Sequence, residues 1–176
     1  MASLKSNRGL KLNLLTGFLN SRSRSRNPGF HWKTTRTLKT LAFEEVRFST
    51  DDNRPHASTV FVLHGLLGSG RNWRSFARNL ASSLSSSSLS SGWRMALVDL
   101  RNHGNSAEIE GLDPPHDMLN SAKDLADLVK FECLDWPDVV IGHSMGGKVA
   151  LQFALSCARG DYGPSAAPPK QNSCGC

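Results

Sequence analysis

A serine between two glycines is the residue of this sequence with the clearest capacity for chemistry. The segment GHSMG occupies positions 142–146, after an apolar run at 137–141 and before an apolar helical pattern at 149–157. A serine in a tight turn between a strand and a helix presents its hydroxyl for nucleophilic attack. The flanking glycines remove Cβ atoms that would clash there, and the helix N-terminus favours a developing anion. The pattern predicts Ser144 as a nucleophile; the alternative is a glycine-rich connection with a helix-capping serine.

A second glycine-rich segment, HGLLG at 64–68, follows a β-branched apolar run. Acyl transfer at a serine needs two preorganised N–H donors for the oxyanion of the tetrahedral intermediate. We expect one donor from the backbone of Met145, directly after the serine, and the other from the backbone of Leu66. Gly65 would let the backbone approach the substrate, and His64 would orient this loop rather than act as a base. The alternative is an ordinary glycine-rich turn after a strand.

A third segment, DLRNHGNS at 99–106, collects polar residues directly after an apolar run. Side chains of this kind shape loops by bonding to the nearby backbone. Arg101 and His103 are therefore predicted to shape the loop, not to catalyse. The complete set of residues predicted to shape loops around the site is His64, Gly65, Arg101, His103, Gly142, His143 and Gly146.

Apolar runs and helical periodicities alternate along the chain that must position these residues. Strands are predicted at 41–48, 58–63, 93–100 and 137–141, and helices at 72–84, 117–132 and 149–157. The alternation predicts an α/β fold with a mostly parallel sheet and flanking helices. In such sheets the functional residues gather at the carboxyl ends of the strands.

The basic charge of the chain is confined to its N-terminal segment. Residues 1–41 hold nine Lys or Arg and no Asp or Glu, with five Ser and five Thr. This composition is typical of an organellar transit peptide, for a mitochondrion or a plastid; the alternative is a disordered basic tail. The remaining residues hold 12 basic and 15 acidic side chains. Without a basic stripe in that part, nucleic acid is not expected as a partner.

Overall composition sets further bounds. The chain has 176 residues, 39% of them apolar and 20% charged, which suits one globular domain and excludes a highly charged disordered chain. No apolar stretch reaches the ~18 residues of a membrane span. The four cysteines, at 133, 157, 174 and 176, have no disulfide-framework spacing and do not make a closed metal site. No cofactor is implied.

The three segments HGLLGSGRNW, DLRNHGNS and GHSMGGK, in this order, resemble the α/β-hydrolase superfamily. They look most like its small esterase branch, the bacterial esterases and the related mitochondrial abhydrolase-domain proteins. The resemblance covers residues 42–160, the N-terminal half of such a domain. It implies a Ser–His–Asp hydrolase of small-molecule carboxylic esters or thioesters. It maps the nucleophile to Ser144 and the oxyanion donors to the backbones of Leu66 and Met145. A serine at this position argues against the epoxide-hydrolase branch, which uses an aspartate.

The sequence also departs from this family, in which an acid and then a histidine follow the serine. After Ser144 it has one acidic residue, Asp161, and no histidine. We therefore expect a C-terminally truncated domain: a disordered targeting segment at 1–41, a partial domain at 42–160 and an irregular tail at 161–176. Two hypotheses stay open. One is an organellar serine esterase or thioesterase by lineage; the other is a non-catalytic truncated isoform or incomplete gene model with at most a binding role. The oligomeric state is open too.

Overall fold

A computed structural model describes residues 30–35, 40–48, 58–85, 92–132 and 134–166. In this part of the chain, five strands form one sheet in the spatial order β1-β2-β4-β3-β5, with three α-helices around it. The strands are β1 (Phe30–Thr35), β2 (Phe43–Phe48), β3 (Ser58–Leu63), β4 (Trp93–Val98) and β5 (Val139–Gly142). The helices are α1 (Arg74–Ser85), α2 (Met118–Phe131) and α3 (Met145–Arg159).

The centre of the sheet is buried on both faces. Phe61 and Leu63 of β3 pack with α2 and α3, while Val60 and Val62 pack on the other face with Ala77 of α1. β3 runs parallel to β4 and to β5. The carboxyl ends of the three strands therefore finish at one edge, where the glycine-rich and polar segments begin.

The sequence-based prediction of an α/β fold with flanking helices is confirmed, but the sheet is more mixed than expected. β2 pairs antiparallel with both β1 and β4. The first two strands follow each other closely along the chain, without an intervening helix in the described residues. Antiparallel pairing suits such a connection because parallel neighbours need a long crossover, usually a helix.

The prediction that residues 1–41 are disordered is wrong at its C-terminal end. β1 occupies Phe30–Thr35, and Thr40 and Leu41 are buried. Trp32 explains part of this order, because its ring packs on the Val60 face of the sheet and the Arg74 guanidinium lies 5.9 Å from the ring centre. Trp32 lies among basic residues, and their composition led to the prediction of disorder. The transit peptide is predicted over residues 1–41, of which 1–29 and 36–39 lie outside the described residues.

The predicted irregular tail begins as a packed turn. Tyr162 and Ala166 contact the core formed with α2 and α3, and Tyr162 stacks on Phe153 with the ring centres 5.8 Å apart. The domain therefore extends to at least residue 166. Residues 167–176 lie outside the described part of the chain.

Helix ends follow local chemistry. Asp117 caps α2, where its carboxylate accepts a hydrogen bond from the N–H of Asn120 at 2.7 Å. Gly160 ends α3 with a φ of 76°, a left-handed conformation that glycine adopts without strain. α3 begins at Met145 instead of the predicted residue 149, and a 3-10 turn at Gly70–Trp73 precedes α1.

A buried ion pair joins the loop after β4 to α2. The Arg101 guanidinium donates two hydrogen bonds to the Asp124 carboxylate, at 2.6 and 2.9 Å, and a third to the carbonyl oxygen of Pro115 at 2.7 Å. Burial raises the pKa of Asp124, and the bonds from Arg101 oppose that shift. Arg101 therefore shapes its loop through α2 and the segment around Pro115.

Among the described residues, β5 pairs with β3 on one side and with no strand on the other. Val139, Val140 and Ile141 are half-buried, since their side chains still pack on the two faces of the sheet. No helix in the described part is long and apolar enough to cross a bilayer.

Replacing Asp124 by Asn should lower the free energy of unfolding by about 3 kcal/mol, because it leaves the Arg101 charge buried without its counter-charge. Denaturant unfolding measures the change. The matched control, Asp127→Asn, alters a half-buried aspartate on the same helix and should cost less than about 1 kcal/mol. The double variant Arg101→Met/Asp124→Leu should recover most of the loss, and equal stabilities of Asp124→Asn and Asp127→Asn would contradict the interpretation.

Candidate active site

The turn between β5 and α3 holds Ser144 in an uncommon backbone conformation. Its φ is 52° and its ψ is −112°, outside the regions that residues with a side chain favour. Ser144 is exposed. Strain at a solvent-exposed serine is retained only where the surrounding packing enforces it, and such strain is common at functional sites.

Two glycines make this turn possible because no Cβ fits at either position. A Cβ on Gly146 would lie 2.6 Å from the carbonyl oxygen of Leu63 and 2.5 Å from that of His64. A Cβ on Gly142 would collide with the Gly146 backbone. The spacing of the two glycines around Ser144 therefore follows from the close approach of α3 to the end of β3.

His64 is a buried, fully bonded residue of the loop after β3. Its Nδ1 donates to the carbonyl oxygen of Gly65 at 2.8 Å, and its Nε2 accepts from the N–H of Leu100 at 3.0 Å. This pair of bonds fixes the neutral tautomer, since Nε2 must carry no proton. Burial lowers the pKa of His64 below its usual value. Both ring nitrogens are committed, so His64 has no free lone pair for a reacting hydroxyl.

The same bonds orient the peptide between Gly65 and Leu66. The Gly65 carbonyl oxygen accepts from His64 and, at 3.0 Å, from the N–H of Gly68. In a trans peptide the N–H points opposite to the C=O, so the Leu66 N–H points away from His64. A Cβ on Gly65 would lie 3.4 Å from the Cβ of Ser144. The oriented peptide therefore lies beside Ser144.

A second N–H next to Ser144 comes from Met145. It is the first residue of α3, and a helix supplies no carbonyl partner for its first N–H groups. The turn before it is tied to β3, because the N–H of His143 donates to the carbonyl oxygen of Leu63 at 3.1 Å. Met145 therefore places an N–H directly after Ser144, at the start of α3.

Asp99 organises the site in a way that the sequence analysis missed. Its carboxylate accepts from the N–H of Gly70 at 2.6 Å and of Asn105 at 2.9 Å, and its carbonyl oxygen accepts from the Ser106 hydroxyl at 2.6 Å. The same hydroxyl accepts from the N–H of Ala42 at 2.9 Å. Asp99 therefore joins three loops. An acidic residue closing a buried strand before a Gly- and Asn-rich loop was the available signal.

Neither of the remaining predicted loop-shaping histidines, His103 and His143, is hydrogen-bonded to the serine. His103 donates from Nδ1 to the carbonyl oxygen of Arg101 at 2.9 Å, and its ring centre lies 5.1 Å from that of His64. His143 is exposed and precedes Ser144 in the turn. Within the described residues, no hydrogen bond joins Ser144 to a histidine. The structure thus places Ser144 at the start of α3 beside the Gly65 backbone, and no histidine is bonded to it among the described residues.

Metal ligands do not cluster in the described part of the chain, where no group of three or more His, Cys, Asp or Glu could hold an ion. Cys157 is buried in the core, and burial raises its pKa to about 11. Such a thiol is protonated at neutral pH and unreactive. The other three cysteines lie outside the described residues.

Comparison with known proteins gives three informative matches. Residues 58–156 match the model of the alpha/beta hydrolase fold family. The chain is 32% identical over 120 residues to sn-1-specific diacylglycerol lipase ABHD11 of Danio rerio, covering 68% of this chain and 34% of that protein. It is 33% identical over 117 residues to esterase YbfF of Escherichia coli, covering 66% of this chain and 41% of that one. The chain thus spans about a third to two fifths of the length of these relatives.

A solved epoxide hydrolase from an endophytic Streptomyces shares the fold, with a TM-score of 0.50 and 24% identity over 73% of this chain and 34% of its own. The match to the family model includes β3, β4, β5 and the serine turn, and covers more than half of the sequence. The chain belongs to the alpha/beta hydrolase family.

Proposed function

We propose that Ser144 is the nucleophile of an esterase or thioesterase that acts on small-molecule acyl substrates. The observation that carries the proposal is the strained, exposed Ser144 in the turn between β5 and α3, with the Gly65 backbone packed beside it. Relatives named as an esterase and as a diacylglycerol lipase support the reaction class.

In this mechanism the Ser144 Oγ attacks the acyl carbon while a general base accepts its proton. The electron pair of the carbonyl bond moves to oxygen, and the N–H groups of Leu66 and Met145 stabilise the oxyanion. Collapse of this intermediate releases the alcohol or thiol, which takes up the proton and leaves an acyl-serine. Water then hydrolyses the acyl-serine. No histidine follows Ser144 in the sequence, and the proposal assigns neither the base nor the acid that orients it to a residue of this chain.

His64 has a positioning role in this proposal. Its bond to the Gly65 carbonyl sets the direction of the Leu66 N–H before substrate binds. Donors held in place beforehand need no reorganisation during the reaction, which is the source of their catalytic effect. This role requires a neutral histidine. If Nε2 were protonated, two donors, Nε2–H and the N–H of Leu100, would face each other and the hydrogen bond between them would be lost.

A non-catalytic acyl-binding role is the second candidate, favoured by the lack of a Ser144–histidine hydrogen bond among the described residues. The two candidates differ in turnover. An esterase releases many product molecules per chain, whereas a binding protein releases none. Hydrolysis of a short-chain p-nitrophenyl ester, compared with a Ser144→Ala control, separates them.

Ser144→Ala in the full chain should reduce labelling by a fluorophosphonate probe at least about 100-fold, since the nucleophilic oxygen is removed. In-gel fluorescence and the mass of the adduct measure the effect. Ser83→Ala is the matched control, because Ser83 is exposed on α1 and bonds only locally to the carbonyl of Asn79. Equal labelling of the two variants would refute Ser144 as the nucleophile. An unlabelled wild-type chain would favour the binding role instead.

The buried His64 should make the fold less stable as the pH falls. Its folded pKa lies below the ordinary 6.5, so below about pH 6.5 the unfolded chain binds a proton that the folded chain refuses. The free energy of unfolding then decreases from pH 7 to pH 5, with a slope from this group of at most about 1.4 kcal/mol per pH unit. His64→Gln should make the measured slope shallower.

The control for this pH series is His116→Gln, which changes an exposed histidine. It should keep the wild-type slope. A His64→Gln variant with the wild-type slope would show that the pH dependence arises elsewhere.

We also propose that the N-terminal segment directs the chain into an organelle. A reporter fused to residues 1–41 should enter a mitochondrion or plastid and be cleaved there. Microscopy and the mass of the processed fusion measure this outcome. Replacing Arg22, Arg24 and Arg26 by Glu is the control and should block import. Diffuse cytosolic fluorescence of the uncut fusion would contradict the proposal.

A further inference from the structure

An aromatic surface lies directly beside the serine turn. Trp73 contacts Phe76 edge to face, with the ring centres 5.3 Å apart, and the Trp73 ring centre lies 6.3 Å from that of His143. His143 immediately precedes Ser144. Trp73 and Phe76, here termed the aromatic wall, therefore extend the surface from the nucleophile along the first turn of α1.

Large apolar side chains are exposed at this end of the sheet as well as on α2 and α3. Phe76 is 38% exposed. On the loop after β3, Leu66 is 68% exposed and Leu67 is 92% exposed. The φ of Leu67 is 59°, a strained value for leucine. Contiguous exposed apolar groups mark binding surfaces more often than isolated ones do. The loop thus keeps costly apolar groups at the place where an acyl substrate would lie.

One of the arginines beside the wall has a paired charge. Arg74, the neighbour of Trp73, has its charge paired with Glu44, to which its Nε donates at 2.6 Å. Its pKa is raised by that hydrogen bond, so the pair stays ionised and mutually compensated. The Arg74 charge next to the rings is therefore balanced by Glu44 and does not attract an anion.

We propose that the aromatic wall binds the aliphatic acyl chain of the ester or thioester, so that medium and long acyl chains are preferred to short ones. This inference rests on the proposed function of Ser144. Full burial of a methylene group strengthens binding about fourfold, and contact along one side is expected to give about half of that free energy, or about twofold. Four added methylenes should therefore strengthen binding about 15-fold.

Equilibrium binding of butylboronic and octylboronic acid to the full chain tests this, measured by isothermal titration calorimetry. The Ser144 oxygen adds to boron to form a tetrahedral anion, and the hydroxyl proton goes to solvent. Octylboronic acid should bind the wild-type chain about 15-fold more tightly than butylboronic acid, with the ratio reduced to about fourfold in Phe76→Ser. Phe131→Ser is the matched control: Phe131 is 64% exposed at the end of α2, and the ratio should not change.

The outcomes separate the two proposals. Equal affinity for both acids, with binding lost in Ser144→Ala, would overturn the aromatic wall and leave the nucleophile intact. An unchanged chain-length ratio in Phe76→Ser would also overturn the wall. Binding that Ser144→Ala does not weaken would overturn the proposed function, and the inference about the wall would fall with it.

Discussion

The arrangement at the carboxyl edge of the sheet depends on one close approach, between the first turn of α3 and the end of β3. The backbone of Gly146 lies so near the Leu63 carbonyl that no side-chain atom fits between them. This contact forces the chain to turn sharply after Gly142, and the turn holds Ser144 at a positive φ. The serine is exposed in this turn, and Met145 directly after it begins α3.

Buried polar groups fix the loops on either side of that turn. His64 uses both ring nitrogens to hold Gly65 and Leu100, and Asp99 holds Gly70 and Asn105. Each bond satisfies a buried polar atom, which would otherwise cost about 1–3 kcal/mol. Each also fixes the direction of a backbone group. The same interactions that stabilise the fold therefore determine where N–H donors point near Ser144.

The local sequence predicted the bounds of an element where its apolar pattern is uninterrupted. β3 lies at the predicted residues because a β-branched run ends abruptly at a glycine-rich segment. The start of α3 was placed four residues late, since the glycines that the turn requires interrupt its apolar periodicity. β1 was missed because its basic surroundings resembled a disordered segment.

The serine turn followed from residue spacing, whereas the role of Asp99 did not. Its partner Gly70 lies 29 residues away, and only the folded sheet brings them together.

Several features that cost stability lie at the carboxyl edge of the sheet. Ser144 and Leu67 have strained backbones, His64 is a buried titratable group, and Leu66 is exposed. Elsewhere in the described residues the strands and helices mostly follow ordinary packing, with apolar side chains inside and capped helix ends. Local violations of folding rules persist where function requires them. Together with the glycine–serine pattern, these features support a site at Ser144.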